Sequence, residues 1–455
     1  MIKIVALGGL TDVGHNCLAI RDEHGKILVI DAGFGFDKDR GDGPQTVSVP
    51  DFSWLVEREA DILGILVTHG HMDHVGGLPH LLKQLSPKLR PKIFFPRFAY
   101  GLIAPKLEGR GHVFFIEPRT RFDLNGFTIE ALRVTHSIPD SYALAVSSSA
   151  GTVIHTGDFK VEDDPQDGEA IDRERFEEYG ANGGCVLLSD STNSESTGLG
   201  ERREEIVGRN LLRVIRGCAG RVFVTCFSSN TYRLQSIIVA ARTVGRKVCF
   251  LGNAVEQTAQ IARKLKRLSI SPGELIDEEG ARKLKSDQVL YIVTGSQGEE
   301  GARLNRFSRS TFLREGDNVI FSSRIIPGNE LVVEGLIKRL RQTGARVTTV
   351  SEEPGIHSSG HATPPEQAQM IKWTNPGTLI PIHGHMGMRT AHAQLGVSLG
   401  VNPLLLEDGL TAVMHSTQEV RLGDRVPVGI VPIIDETPAK RTAPRTPRGG
   451  SKRRH

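Results

Sequence analysis

The chain has 455 residues and a formal net charge of +3, which is longer than one core usually accommodates, so two or three domains or one large insertion are expected. Hydrophobic residues make up 38% and charged residues 24%, which excludes a disordered chain, and no apolar run nears the roughly 18–20 residues of a membrane span. Seven of the last 16 residues are Lys or Arg and none is acidic, so the body without them carries −4 and any nucleic-acid binding there must be local.

The N-terminal segment MIKIVALGGL runs into a glycine turn without a cleavage site of small residues, so no secretory signal is expected. IKIVAL, CLAI and KILVID read as strands around turns, and Ile62–Thr68 as a buried strand. Leu78, Leu81, Leu82 and Leu85 have helical spacing. Further strands are predicted at Lys92–Phe95, Thr128–Val134, Tyr142–Val146 and Thr152–Thr156. From about residue 200 the rhythm changes. The runs Arg221–Phe227, Lys247–Leu251, Val289–Thr294, Asn318–Ser322 and Arg346–Val350 alternate with helical stretches, which predicts a parallel sheet flanked by helices. Leu379–Ile382 then resumes the earlier pattern and leads to His383. The arrangement is a histidine-rich domain interrupted by an α/β insertion. The tail is rich in Pro, Gly and Arg, cannot bury a core, and reads as disordered, either a solubility tail or a phosphate tether. The five cysteines are scattered and form no C-x-x-C pair, so no disulfide framework or thiolate zinc knuckle is expected and a reducing cytoplasm is.

The strongest chemical signal is Thr68-His69-Gly70-His71-Met72-Asp73-His74. Three imidazoles and a carboxylate within six residues, directly after an apolar strand, suit zinc or manganese. A strand sends alternate side chains to opposite faces, so several ligands converge only on the loop beyond its end. One such cluster cannot fill two metal spheres. His136, Asp158 and His383 each follow a strand in the same manner; each alone is weak, and together they supply enough donors for two cations. The segment His357-Ser358-Ser359-Gly360-His361 offers hydroxyls, imidazoles and exposed N–H groups suited to a phosphate. Ser228, Ser229 and Asn230 follow another strand and could line the same pocket or cap the next helix. The remaining histidines read as surface, turn or core residues.

These motifs, with GGLTDVGHN, TGDFK, LLSDSTN, FSSNTYRLQ, VTGSQGE, IPGNE and PIHGHMGMRTAHAQL, resemble the β-CASP nucleases of the metallo-β-lactamase superfamily, and within them the ribonuclease J family, from about residue 3 to 410. The resemblance implies an α/β layered fold: a metallo-β-lactamase αββα sandwich in residues 1–200 and 361–436, a β-CASP insertion in 201–360, and the basic tail from 437. It implies that His69, His71 and His136 hold one divalent cation, that Asp73, His74 and His383 hold another, and that Asp158 bridges them, zinc being expected first and manganese second. Asp73 would orient or deprotonate the nucleophile, His361 would protonate or stabilise the leaving oxygen, and Asp190 would orient metal-bound histidines or cap a turn. The activity implied is 5′-to-3′ exonuclease action on single-stranded, 5′-monophosphorylated RNA, with endonuclease cuts as a further mode, in RNA processing and decay by a cytoplasmic homodimer. Competing readings are a nuclease that also takes DNA, a small-molecule hydrolase on the same scaffold, and a non-catalytic RNA-binding protein. Two departures stand out. His385 occupies a position where the family commonly has an acid, and many members continue with a C-terminal domain where this chain has its basic tail.

Overall fold

The computed structural model describes residues 1–37, 46–182, 184–197, 203–326 and 328–433; the expected tail disorder lies outside them. Two sheets face each other. One has eight strands and centres on Ile2–Gly8, Cys17–Asp22, Ile27–Ile30 and Ile62–Leu66. The other has seven and centres on Phe127–Arg133, Tyr142–Ser148, Gly151–His155, Val186–Asp190 and Thr378–Ile382. Alternation decides what lies between them. Ile4, Ile20 and Leu28 of the first sheet share one core with Ile129, Leu144, Val186 and Ile380 of the second, while the intervening residues face outward onto helices. Leu78, Leu81 and Leu82 of helix Leu78–Gln84 cover the outside of the first sheet with Val5, Ala19 and Val29. Phe176, Met370 and Ile371 cover the outside of the second. This is the αββα sandwich expected.

The insertion is visible in the strand pairing. Val186–Asp190 and Thr378–Ile382 pair in parallel, from Val186 against Thr378 to Asp190 against Ile382, although some 190 positions separate them in the chain. Between them lies a separate five-stranded parallel sheet in the order Lys247–Leu251, Val289–Val293, Val222–Thr225, Asn318–Phe321, Arg346–Thr348. Its central strands are buried along their whole length because helices pack on both faces, so they read as short continuous apolar runs. The chain re-enters the sandwich through helix Pro364–Thr374. There Thr363 and Glu366 form a reciprocal capping box, Pro stands in the first turn, and Asn375 closes the C-terminus in a left-handed conformation.

Candidate metal centre and phosphate loop

The site begins where strand Ile62–Leu66 leaves its sheet. At the end of the neighbouring strand, Asp31 takes a left-handed φ of +59° and is almost fully buried. Its carboxylate accepts the Thr68 N–H at 2.8 Å and the Thr68 hydroxyl at 2.7 Å. It also accepts from His74 Nδ1 at 2.7 Å. Since the Thr68 hydroxyl gives its proton to Asp31, it accepts from His69 Nδ1, 3.0 Å away. One buried carboxylate thus fixes two imidazoles, His74 directly and His69 through Thr68, and turns Nε2 of each toward the cluster. The chain that carries Asp31 runs very close to the histidine loop. A Cβ on Gly33 would lie 1.6 Å from the Asp73 carbonyl oxygen, so only glycine fits there.

The other donors arrive from strand ends. His136 gives its Nδ1 proton to the Gly360 carbonyl at 2.7 Å. His383, strained at φ +55°, gives its Nδ1 proton to the Thr192 hydroxyl at 2.6 Å, and that hydroxyl donates to the His383 carbonyl. The remaining ring nitrogens then converge. His71 Nδ1 lies 3.2 Å from His69 Nε2 and 3.0 Å from His136 Nε2. Asp158 Oδ2 stands 3.4 Å from His69 Nε2 and 3.7 Å from His136 Nε2. Its other oxygen, Oδ1, stands 3.1 Å from His74 Nε2 and 3.4 Å from His383 Nε2. Asp73 Oδ2 completes that second group, 3.3 Å from His383 Nε2 and 3.6 Å from His74 Nε2. The structure therefore brings seven side chains into two groups with the two oxygens of Asp158 between them.

The donor set fits a pair of divalent cations on its own chemistry. Ring nitrogens and carboxylate oxygens face one another in a buried space. Asp158 Oδ1 has no aligned hydrogen-bond partner despite the nearby rings, a costly state for a buried carboxylate unless a cation takes the place of the donor. Imidazole and carboxylate without thiolate suit zinc or manganese.

Charge pairing divides the histidines. Burial and His69 hold His71 down at about 3, and burial and His71 hold His136 well below the usual range. Burial also works against protonation of His74 and His383, but Asp158 and Asp73 overcome it and raise both. Burial would raise Asp158; His383, His74 and His69 overcome that and hold it well below the ordinary carboxylate range. His361 is raised to about 9 because Asp190 and Asp158 outweigh its burial.

His361 meets Asp190 at 2.8 Å through Nδ1. Asp190 was expected to orient metal-bound histidines. It accepts from His361 and also from the Thr192 N–H at 2.9 Å, the turn cap that was the other reading, and it stands 3.6 Å from His383 Nδ1, whose proton goes to Thr192. The 357–361 loop sits beside the cluster. The Gly360 carbonyl holds His136, and a Cβ on Gly360 would lie 2.7 Å from the His136 ring. Asn193 Nδ2 donates to Ser359 Oγ at 3.0 Å and to the His361 carbonyl at 2.8 Å. Among the described residues, the N–H groups of Ser358, Ser359 and Gly360 meet no acceptor, and the buried Ser358 hydroxyl has no partner. Consecutive free N–H groups with a free hydroxyl make an anion cradle. Asn230 takes the capping role: its side chain accepts from the Arg233 N–H at 2.9 Å, which leaves Ser228 and Ser229, both half-buried, as the polar groups on that strand end. His385 stands 3.5 Å from Glu195, so an acid from another loop lies beside the departing position. A cavity of about 840 Å³ beside helix Glu330–Gln342 holds none of these groups; the chemistry, not the volume, locates the site.

Comparison with known proteins agrees with this architecture. Residues 10–169 match the metallo-beta-lactamase superfamily, 219–340 the ribonuclease J beta-CASP domain, and 354–406 the Zn-dependent metallo-hydrolase RNA specificity domain. Ribonuclease J of Mycobacterium tuberculosis is 38% identical over 442 residues, covering 94% of this chain and 77% of that protein. The chain belongs to the ribonuclease J family. Members of that family are metal-dependent β-CASP ribonucleases. Ribonuclease J of Synechocystis is 37% identical, covering 94% of this chain and 68% of that protein. A crystal structure of a protein of unknown function from Enterococcus faecalis shares the fold at a TM-score of 0.63 and 15% identity, covering 90% of this chain and 99% of that one.

Asp31, Thr192 and Asn193 were not singled out from the sequence, and Thr68 was read only as the first residue of the histidine motif. Asp31 carried one signal, an aspartate closing an apolar strand in the way Asp158 does. Thr192 and Asn193 lie in SDSTN and carried none beyond turn chemistry.

Proposed function

We propose that this chain removes nucleotides from the 5′ end of single-stranded RNA, favouring a 5′-monophosphate, with internal cuts as a second mode. The observation that carries the reading is the adjacency of the two donor groups sharing Asp158 to a loop whose N–H groups and Ser358 hydroxyl stand free. His69, His71 and His136 would hold one divalent cation and Asp73, His74 and His383 the other, with zinc preferred to manganese. When bound, the two cations supply an activated water and neutralise charge on the phosphodiester.

The chain's own residues do the rest. Asp73 is the one carboxylate of the cluster with substantial exposure, 30% of its side chain, and is placed to orient the attacking water and take its proton. His361 holds a proton at neutral pH through Asp190 and has Nε2 available to donate to the leaving oxygen. Ser358, Ser359 and Gly360 bind the terminal phosphate, with Ser228, Ser229 and the half-buried His357 on the pocket wall. We place the domain boundaries at 200/201 and 360/361, supported by a five-stranded sheet that lies wholly within 222–348. Homodimer formation, a cytoplasmic setting and a role in RNA processing and decay rest on the family. No helix of the described residues is long and apolar enough to cross a membrane.

The test uses one RNA labelled at its 3′ end and carrying a 5′-monophosphate or a 5′-triphosphate, with Zn²⁺ or Mn²⁺ supplied. Progressive shortening from the 5′ end, faster with the monophosphate, is expected. Discrete internal cuts indifferent to the 5′ end would overturn the exonuclease reading.

A further inference from the structure

Arg233, in helix Thr231–Thr243, is completely buried and lies outside the metal centre. A buried guanidinium cannot lose its charge and can only donate, so its surroundings must be built for it. Its Nε and Nη2 pair in fork fashion with the two oxygens of Glu204, at 2.5 and 3.0 Å. Glu204 is itself nearly fully buried, at the start of helix Glu204–Arg216, and its N–H donates to Glu162 at 2.9 Å. The pair therefore cancels its own charge and leaves Nη1 to work elsewhere.

Nη1 points at the front of the phosphate loop. It lies 2.7 Å from the carbonyl and 2.7 Å from the hydroxyl of Ser322, 3.4 Å from the Ile356 carbonyl and 3.3 Å from His357 Nδ1. The Ser322 hydroxyl donates to the same Ile356 carbonyl at 2.6 Å. Two consequences follow from the chemistry of the donor. The peptide between Ile356 and His357 is fixed with its carbonyl inward. His357 lies with Nδ1 toward the guanidinium at the edge of its reach, with Nε2 turned away from it. At the far end of the loop, His136 and Asn193 take the Gly360 and His361 carbonyls inward in the same way. With carbonyls drawn in at both ends, the N–H groups between them are left to an anion.

We propose that Arg233, anchored by Glu204, is a positioning residue that sets the pitch of the 357–361 loop and thereby the preference for a 5′-phosphate. This rests on the phosphate-loop reading above. Arg233 touches neither substrate nor metal ligands; it acts through Ile356 and His357.

The test compares RNA bearing a 5′-monophosphate with the same RNA bearing a 5′-hydroxyl. Removing one partner alone would strand a buried charge, so the main variant is R233M/E204M, since apolar replacement of a buried pair is often near neutral for stability. Ser322→Ala, which deletes one hydroxyl, is the second variant. Losing a charge-assisted anchor predicts about a tenfold fall in kcat/KM on 5′-monophosphate RNA, carried by KM, with less than about a threefold fall on 5′-hydroxyl RNA. Ser322→Ala should show the same selectivity at about two- to threefold. A purely structural role would lower both substrates together and reduce bound metal. Equal losses on both RNAs, or undiminished discrimination in both variants, would overturn the proposal. Absence of discrimination in the unsubstituted protein would sink the phosphate-loop reading itself, and this proposal with it.

Discussion

The distinctive residue of the centre is Asp31, because it acts on both donor groups while belonging to neither. It holds His74 directly and His69 through Thr68. Thr192 holds His383 alone. Outer partners of metal ligands are commonly worth about 10- to 100-fold in affinity. Asp31→Ala should therefore weaken both cations by about that factor, and Thr192→Val one of them. Metal titration watched by calorimetry reads this directly, and equal effects of the two variants would contradict it. A second prediction concerns His361. Asp190 and Asp158 raise it to about 9 against its burial, so it keeps its proton through neutral pH. In the metal-free protein its ring should titrate near 9 by NMR, and in Asp190→Asn the midpoint should fall. An unmoved midpoint would remove Asp190 as its partner. The seven clustered side chains could be picked out from the sequence because each follows an apolar run. Asp31 and Thr192 could not be assigned their roles, since their partners lie 43 and 191 residues away and only the folded sandwich brings them together.

At the scale of elements, strand ends do the positioning and glycines set the spacing. Gly360 lets the 357–361 loop lie against His136, and a Cβ there would also come within 2.8 Å of Ser137 Oγ. Gly360→Ala should displace the His136 ring and weaken metal binding at the His69–His71–His136 group. Unaltered metal content would contradict this. Helix Pro364–Thr374 follows the loop and is fixed by Thr363 and Glu366; Thr363→Ala should cost about 1 kcal/mol, read by urea unfolding. The same scale shows which elements a sequence discloses. The strands of 222–348 were readable as apolar runs because both of their faces are buried. His112–Phe115 was not, since at the sheet edge it exposes Phe114 and Phe115 and has no alternation to read. Thr46–Pro50 pairs only with short partners in a three-stranded sheet and carries a proline, which argues against a strand.

Across the whole molecule, the donors come from segments spread between residues 69 and 383, so binding metal and holding the sandwich together are coupled. His74 and His383 are raised by Asp158 and Asp73, and a cation must displace the protons they hold on the cluster side. Metal binding should therefore release protons, and affinity should fall as pH is lowered; binding without proton release would contradict the assigned donors. The central claim is that two cations share Asp158 in a ribonuclease site. The most direct test is stoichiometric titration of the metal-free chain and of Asp158→Ala with Zn²⁺ or Mn²⁺, with RNA hydrolysis measured at each addition. The account predicts two equivalents bound with activity completed by the second, and loss of both the sites and the activity in the variant. Full cleavage by the metal-free chain, or two tight equivalents retained in Asp158→Ala, would contradict it.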